Sequence, residues 1–139
     1  MRLQKNTRLA LYSVLELAAR PETFVPAVEV ADKYGESAHH LAKVMSDLAR
    51  AGIVDSVRGV GGGYRFVGQA RRLTLLDVIR LFEDLGPETP GLSEGGTPVD
   101  HALSGVLSEI DQIAQATFGS ITIATMLKMV ERAAARAPG

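Results

Sequence analysis

No cysteine occurs among the 139 residues. That excludes disulfides, thiolate nucleophiles and cysteine-ligated zinc or iron–sulfur centres. No apolar run approaches the roughly 20 residues that cross a bilayer as a helix. The N-terminal stretch MRLQKNTRLALYSVLELAARPE lacks the unbroken apolar centre of a secretion signal, because Arg8, Glu16 and Arg20 interrupt it. A soluble, cytoplasmic protein is expected. Catalytic constellations are lacking too. The three histidines, His39, His40 and His101, form no nucleophile–base pair or metal triad, and no paired-carboxylate motif appears. The chain does not read as an enzyme.

What is present points elsewhere. The length suits one compact domain with an appended subdomain, and 46% apolar residues supply a core. Net charge is only −1, but its distribution is uneven. Residues 1–72 hold eleven Lys/Arg against seven Asp/Glu, a net of +4. Residues 73–139 hold four against nine, a net of −5. A basic half joined to an acidic half fits a DNA-facing module plus a partner or sensor module, with ordinary scatter as the alternative.

Periodicity and punctuation predict the elements. Thr7–Arg20 reads as a helix with an apolar stripe of Leu11, Val14, Leu15 and Ala18, stopped by Pro21. A short helix over Ala27–Tyr34 follows Pro26 and ends at Gly35. Ser37 caps a third helix, Ala38–Ala51, ended by Gly52. The last two have helix–turn–helix spacing. Two strands, Ile53–Val57 and Tyr64–Val67, are joined by the glycine-rich Arg58–Gly63. Three helices followed by a hairpin is the order of a winged helix. Thr74 caps a helix over Leu75–Leu85. Residues 86–100, GPETPGLSEGGTPVD, read as a loop with three prolines and four glycines. A long helix, His101–Thr117, and a last one from Thr122 to about Ala135 complete the chain.

The stretch DSVRGVGGGYRF invites a phosphate-loop reading, which fails. A dinucleotide fingerprint needs a third glycine where Tyr64 stands, and a helix must follow. Here a strand follows, so no helix N-terminus faces a phosphate. No Gly-Lys-Ser/Thr is present either. A hairpin tip fits better. Glycines such as Gly61 and Gly62 let backbone lie close to another surface. Arg58 at the base would suit a narrow minor groove, which attracts arginine. A flexible turn with a solvated arginine is the plain alternative.

The third helix divides by face. Leu41, Val44, Met45 and Leu48 would dock on the first helix. Along the other side lie His39, Lys43, Ser46 and Arg50. In helix–turn–helix proteins the N-terminal end of the second helix meets base edges. Ser37, Ala38, His39 and His40 occupy that end. Ser and His can hydrogen-bond bases, and Ala38 can touch a thymine methyl. Lys43 and Arg50 suit phosphates. Arg2 and Lys5, in the basic N-terminal segment, join the DNA-binding candidates. The plain alternative is a solvated polar face. A zinc site at His39 and His40 is not expected, because adjacent helical residues point about 100° apart.

The stretches MRLQKNTRLALYSVLELA, VEVADKYGESAHHLAKVMSDLARAGIVDSVRGVGGGYRF, LTLLDVIRLFE and ITIATML together resemble the IscR/NsrR family of bacterial winged-helix regulators. The resemblance covers nearly the whole chain. It implies a mainly α fold with a small β-hairpin, built as a winged helix–turn–helix domain (1–72) plus a part (73–139) with a sensor-type loop and a long dimerisation helix. It implies a homodimer on a palindromic operator in double-stranded DNA. Leu103, Val106, Ile110 and Ile113 would then face the twin helix, an intramolecular core being the alternative. Many relatives hold an iron–sulfur cluster on three loop cysteines. The matching places fall near Thr89, Gly95 and His101, none of them cysteine, and the place of an acidic ligand in some relatives is Arg8. No cofactor or metal is therefore expected. A repressor answering another signal, a small molecule or a protein, is expected instead, with His101 as the candidate effector residue. Glu88, Glu94 and Asp100 are too scattered for a coordination set. A protein-interaction module with vestigial DNA binding is the alternative function.

Overall fold

The computed structural model describes residues 2–85 and 96–137. Helix α1 runs over Lys5–Ala18 and buries Leu9, Ala10, Ser13, Val14, Leu17 and Ala18. That arc is turned from the expected stripe, for Leu11 and Leu15 are only part-buried. The reason is tertiary. Helix α1 touches at least four other elements and is covered over a wide arc rather than along one line.

Helix α2, Ala27–Lys33, begins after Pro26, and helix α3, Ala38–Arg50, begins at Ser37. Between them the Glu36 N–H bonds to the Ala31 carbonyl at 2.9 Å and the Gly35 N–H to that of Asp32 at 3.4 Å. This Schellman closure stops α2 and aims the chain into α3. The Ser37 hydroxyl accepts from the His40 N–H at 3.1 Å, as a helix cap should. Leu41, Val44, Met45 and Leu48 are all buried, as their spacing predicts.

Strands β1 (Val54–Val57) and β2 (Gly63–Phe66) pair antiparallel, from Val54 opposite Phe66 to Val57 opposite Gly63. Both are shifted slightly from expectation, because Ile53 is held by the α3 terminus while Gly63 joins the ladder. Val25 adds an unforeseen third rung. Its N–H and carbonyl exchange bonds with Tyr64, each 2.8 Å. Gly63 therefore lies against the Val25 backbone: a Cβ there would sit 2.5 Å from the Val25 carbonyl.

Helix α4 spans only Leu75–Ile79, shorter than the expected run to Leu85. After Ile79 the backbone tightens, with Leu81 and Phe82 bonding three residues back. Helix α5 covers Pro98–Ser120, starting before the expected His101. Thr97 and Asp100 form a capping box and Pro98 takes the first helical position, where its missing N–H costs nothing. The last three residues of the expected loop are thus helical, while 86–95 lie outside the described residues. Helix α6, Ile123–Arg136, is capped by Thr122. A short seam ties the two ends of the α4–α5 excursion. Thr74 pairs with Thr122, and the Leu75 and Ile123 N–H groups bond to the Ile121 and Leu73 carbonyls at 2.9 and 2.8 Å.

One buried cluster joins α1, α2, α3, the hairpin, α4 and Ile123 of α6. Helix α5 contributes only Ser104 to the buried set. Its apolar row is exposed: Leu103 by 56%, Val106 by 54%, Ile110 by 57% and Ile113 by 62%. Among the described residues no intramolecular core covers this row. Among the described residues, no helix is long and apolar enough to cross a membrane.

Candidate nucleic-acid interface

The α2–α3 turn is the expected reading edge, and several ties hold it. Lys5 of α1 pairs with Glu36 at 2.9 Å, and the Ser37 N–H bonds to the same carboxylate at 3.2 Å. The Lys5 ammonium, helped by that N–H, holds the Glu36 carboxyl below its ordinary range. A carboxyl lowered by folding adds stability that is full above its unfolded value, near 4.5, and lost as pH falls through the folded one. Glu36→Gln should therefore lose stability at neutral pH and little or none in acid. Urea unfolding midpoints at both pH values check this, and a loss that persisted in acid would count against the ion pair.

The second tie was not foreseen. His40 Nε2 lies 2.7 Å from the Asn6 side-chain oxygen, linking the starts of α3 and α1. His40 is part-buried, whereas Ser37, Ala38 and His39 beside it are exposed. His39 has no hydrogen-bond partner among the described residues, so its ring is available to a base edge. Lys43 is likewise exposed and unpaired among them, while Arg50 pairs with Asp47. Arg2 is exposed at the N-terminus. Nothing in the sequence marked Asn6, because its partner is 34 residues away.

The two arginines of the hairpin differ. Arg65 lies 3.6 Å from Asp55 and 4.6 Å over the Phe24 ring, so it braces the base. Arg58 is exposed and without an ion pair among the described residues. Gly61, at φ +77°, has open space around its Cα, while Gly62 folds back on the Val57 carbonyl. The tip is thus a slim backbone finger with a free guanidinium at its root. His101 is exposed in the first turn of α5, and Thr89 and Gly95 lie outside the described residues.

A helix–turn–helix with a capped second helix, an exposed polar N-terminal end and a cationic glycine-tipped wing defines a winged-helix DNA-binding protein. Comparison with known proteins takes this further. The model of the Rrf2 family, described as iron-dependent transcriptional regulators, matches residues 3–129, and the chain belongs to that family. A protein of Rhodopseudomonas palustris named an HTH-type transcriptional regulator, BadM, is 50% identical over 131 residues, covering 94% of this chain and 84% of that protein. The structure of CymR, the global cysteine regulator of B. subtilis, superposes with a TM-score of 0.78 at 25% identity, over 93% of this chain and 98% of that one. IscR of T. potens gives 0.72 at 27% identity, over 100% and 94%. The chain is a DNA-binding transcriptional regulator of the Rrf2 family.

The family's iron does not find its usual donors here. There is no cysteine in the chain, and no group of three or more His, Asp or Glu among the described residues could hold a metal. Arg8, exposed on α1, is a cation and not an acidic donor. These residues do not fit a cysteine-ligated cluster.

Proposed function

We propose that the protein is a homodimeric repressor that reads a palindromic, A/T-rich operator and answers a signal other than a cysteine-ligated cluster. The observation that carries this reading is the exposed row on α5, Leu103, Val106, Ile110 and Ile113. An apolar row that stays exposed among the described residues calls for a partner, and a twin helix supplies a self-complementary one. Two-fold pairing sets two copies of α3 on successive major grooves, roughly 34–36 Å apart. Residues 1–72 would read DNA and residues 73–139 would supply the pairing arm.

Each candidate then has a task. His39, with Ser37 and Ala38, reads base edges. Lys43, Arg50, Arg2 and Lys5 hold phosphates and set register. His40 is anchored to Asn6 and sets the angle at which α3 enters the groove. Arg58 enters the minor groove beside the Gly61–Gly62 finger. The effector is a small molecule or a protein, with His101 as a candidate contact.

Selection of bound fragments from a random DNA pool tests this, run on the wild type, His39→Ala and Arg58→Ala. The wild type should select a palindrome, with affinity that falls steeply with salt. His39→Ala should relax preference at its base pair by about 1–3 kcal/mol. Arg58→Ala should weaken chiefly those sites with a narrow minor groove. A wild type that selects nothing would overturn the reading. Equal loss on all sequences would make either side chain a phosphate contact.

A further inference from the structure

Behind the helix–turn–helix, α1, the α2 end and α6 enclose a hollow of about 480 Å³. That lies within the roughly 300–1,000 Å³ of small-molecule sites. Its floor is apolar, from Leu15, Met126, Leu127 and Val130. Its polar wall is built and braced. The Tyr34 hydroxyl donates to Glu16 at 2.5 Å, and Lys33 Nζ lies 2.6 Å from the same oxygen. The Tyr34 ring stacks on Tyr12 with centroids 4.5 Å apart and planes 10° apart. Such a wall holds its shape without a ligand, which lowers the cost of binding one.

We propose that this hollow is the effector site, and that it takes a small organic acid with a hydrocarbon body and a single carboxylate. The body would lie on the leucine, methionine and valine floor. The carboxylate would meet Lys33, whose ammonium has three donors, spends one on Glu16, and sits on a side chain 61% exposed. Among the described residues the lining carries one acid, Glu16, already paired with Lys33, so the spare ammonium donors of Lys33 are the charged group left for an incoming carboxylate. A second, smaller hollow shares Tyr12 and Tyr34 and is lined by Lys5, Arg8 and Glu36.

The position supplies the coupling. Tyr34 is the residue at which α2 gives way to the turn before α3, while Met126, Leu127 and Val130 belong to the helix that follows the α5 arm. A molecule between them favours one spacing of α6 against the reading edge. It acts on DNA affinity by whatever difference it feels between the free and DNA-bound spacings. The proposal rests on the regulator reading above.

Octanoate is the probe, with octylamine and octanol as its cationic and neutral counterparts. They are titrated into the intact protein by methyl NMR, and affinity for a DNA selected by the wild type is measured with and without them. Octanoate should shift the signals of Leu15, Met126, Leu127 and Val130, and change DNA affinity at least fivefold. Lys33→Gln should weaken octanoate about tenfold and leave octanol unchanged. Val130→Trp, checked for folding by its melting curve, should fill the hollow and abolish both shift and response. Octylamine binding as well as octanoate would overturn the proposal. So would shifts without any change in DNA affinity, or hollow signals that move only on diluting the protein, since a second copy would then be the occupant. DNA binding that persists but ignores octanoate sinks this inference alone. Loss of all DNA binding without additive sinks the regulator reading.

Discussion

Ile110→Glu should give a monomer whose affinity for a palindromic site falls by about 10²–10⁴-fold, the advantage that linking two binding modules provides. Ile110 lies at the middle of the α5 row and is 57% exposed in the single chain. There the substitution faces water and should change the monomer's own stability by no more than about 0.5 kcal/mol. At a twin interface each carboxylate would be buried in apolar surroundings, where an unpaired buried charge costs several kcal/mol. Sedimentation velocity and DNA titration at one salt concentration check both halves. A variant that remains dimeric places the interface elsewhere. A monomer that binds a full site as tightly as the wild type removes the need for two reading helices.

Gly63→Ala should destabilise the protein by about 2–5 kcal/mol, comparable to emptying part of the core. Two costs combine. Gly63 sits at φ +141°, a region that side chains rarely adopt. The added Cβ would also lie 2.5 Å from the Val25 carbonyl and 2.8 Å from the Pro26 nitrogen, which are backbone atoms and cannot swing aside. To make room the hairpin must leave Val25, forfeiting the two 2.8 Å bonds between Val25 and Tyr64. Gly61→Ala is the matched control. Its φ is +77° but nothing lies within 4 Å of the added atom, so it should cost only about 1–2 kcal/mol. Urea unfolding of both variants decides the matter. Equal losses would mean that the seat against Val25 contributes little.

The parts of this molecule legible in its sequence are those fixed by neighbours in the chain. Ser37 announces α3, and the spacing of Leu41, Val44, Met45 and Leu48 places its buried face, because cap and stripe act within a few turns. The hairpin follows from β-branched residues around glycines. What escaped depends on distant partners. The buried arc of α1 includes Leu9 and Leu17, rather than Leu11 and Leu15, because several elements converge on that helix. The link from His40 to Asn6 and the rung from Val25 to Tyr64 leave no local trace. The start of α5 was legible in principle. Thr97-Pro98 with Asp100 is a capping box, but in a stretch rich in glycine and proline it reads as loop. Periodicity shows that α5 has an apolar row, and only the structure shows that the row stays exposed among the described residues.

The seam at Thr74 and Thr122 makes α5 and the segment leading into it a graftable cassette. The excursion departs and returns at adjoining residues, stitched by the bonds from Leu75 to Ile121 and from Ile123 to Leu73. Recombination at those two points also carries α4 across, so the incoming α4 must refill the places of Leu75, Val78 and Ile79 in the head's buried cluster. A hybrid with a relative's excursion on this head should keep this protein's DNA preference while taking that relative as its mate. Lineages of duplicated regulators could diverge in partner choice by that route without relearning their target sequence.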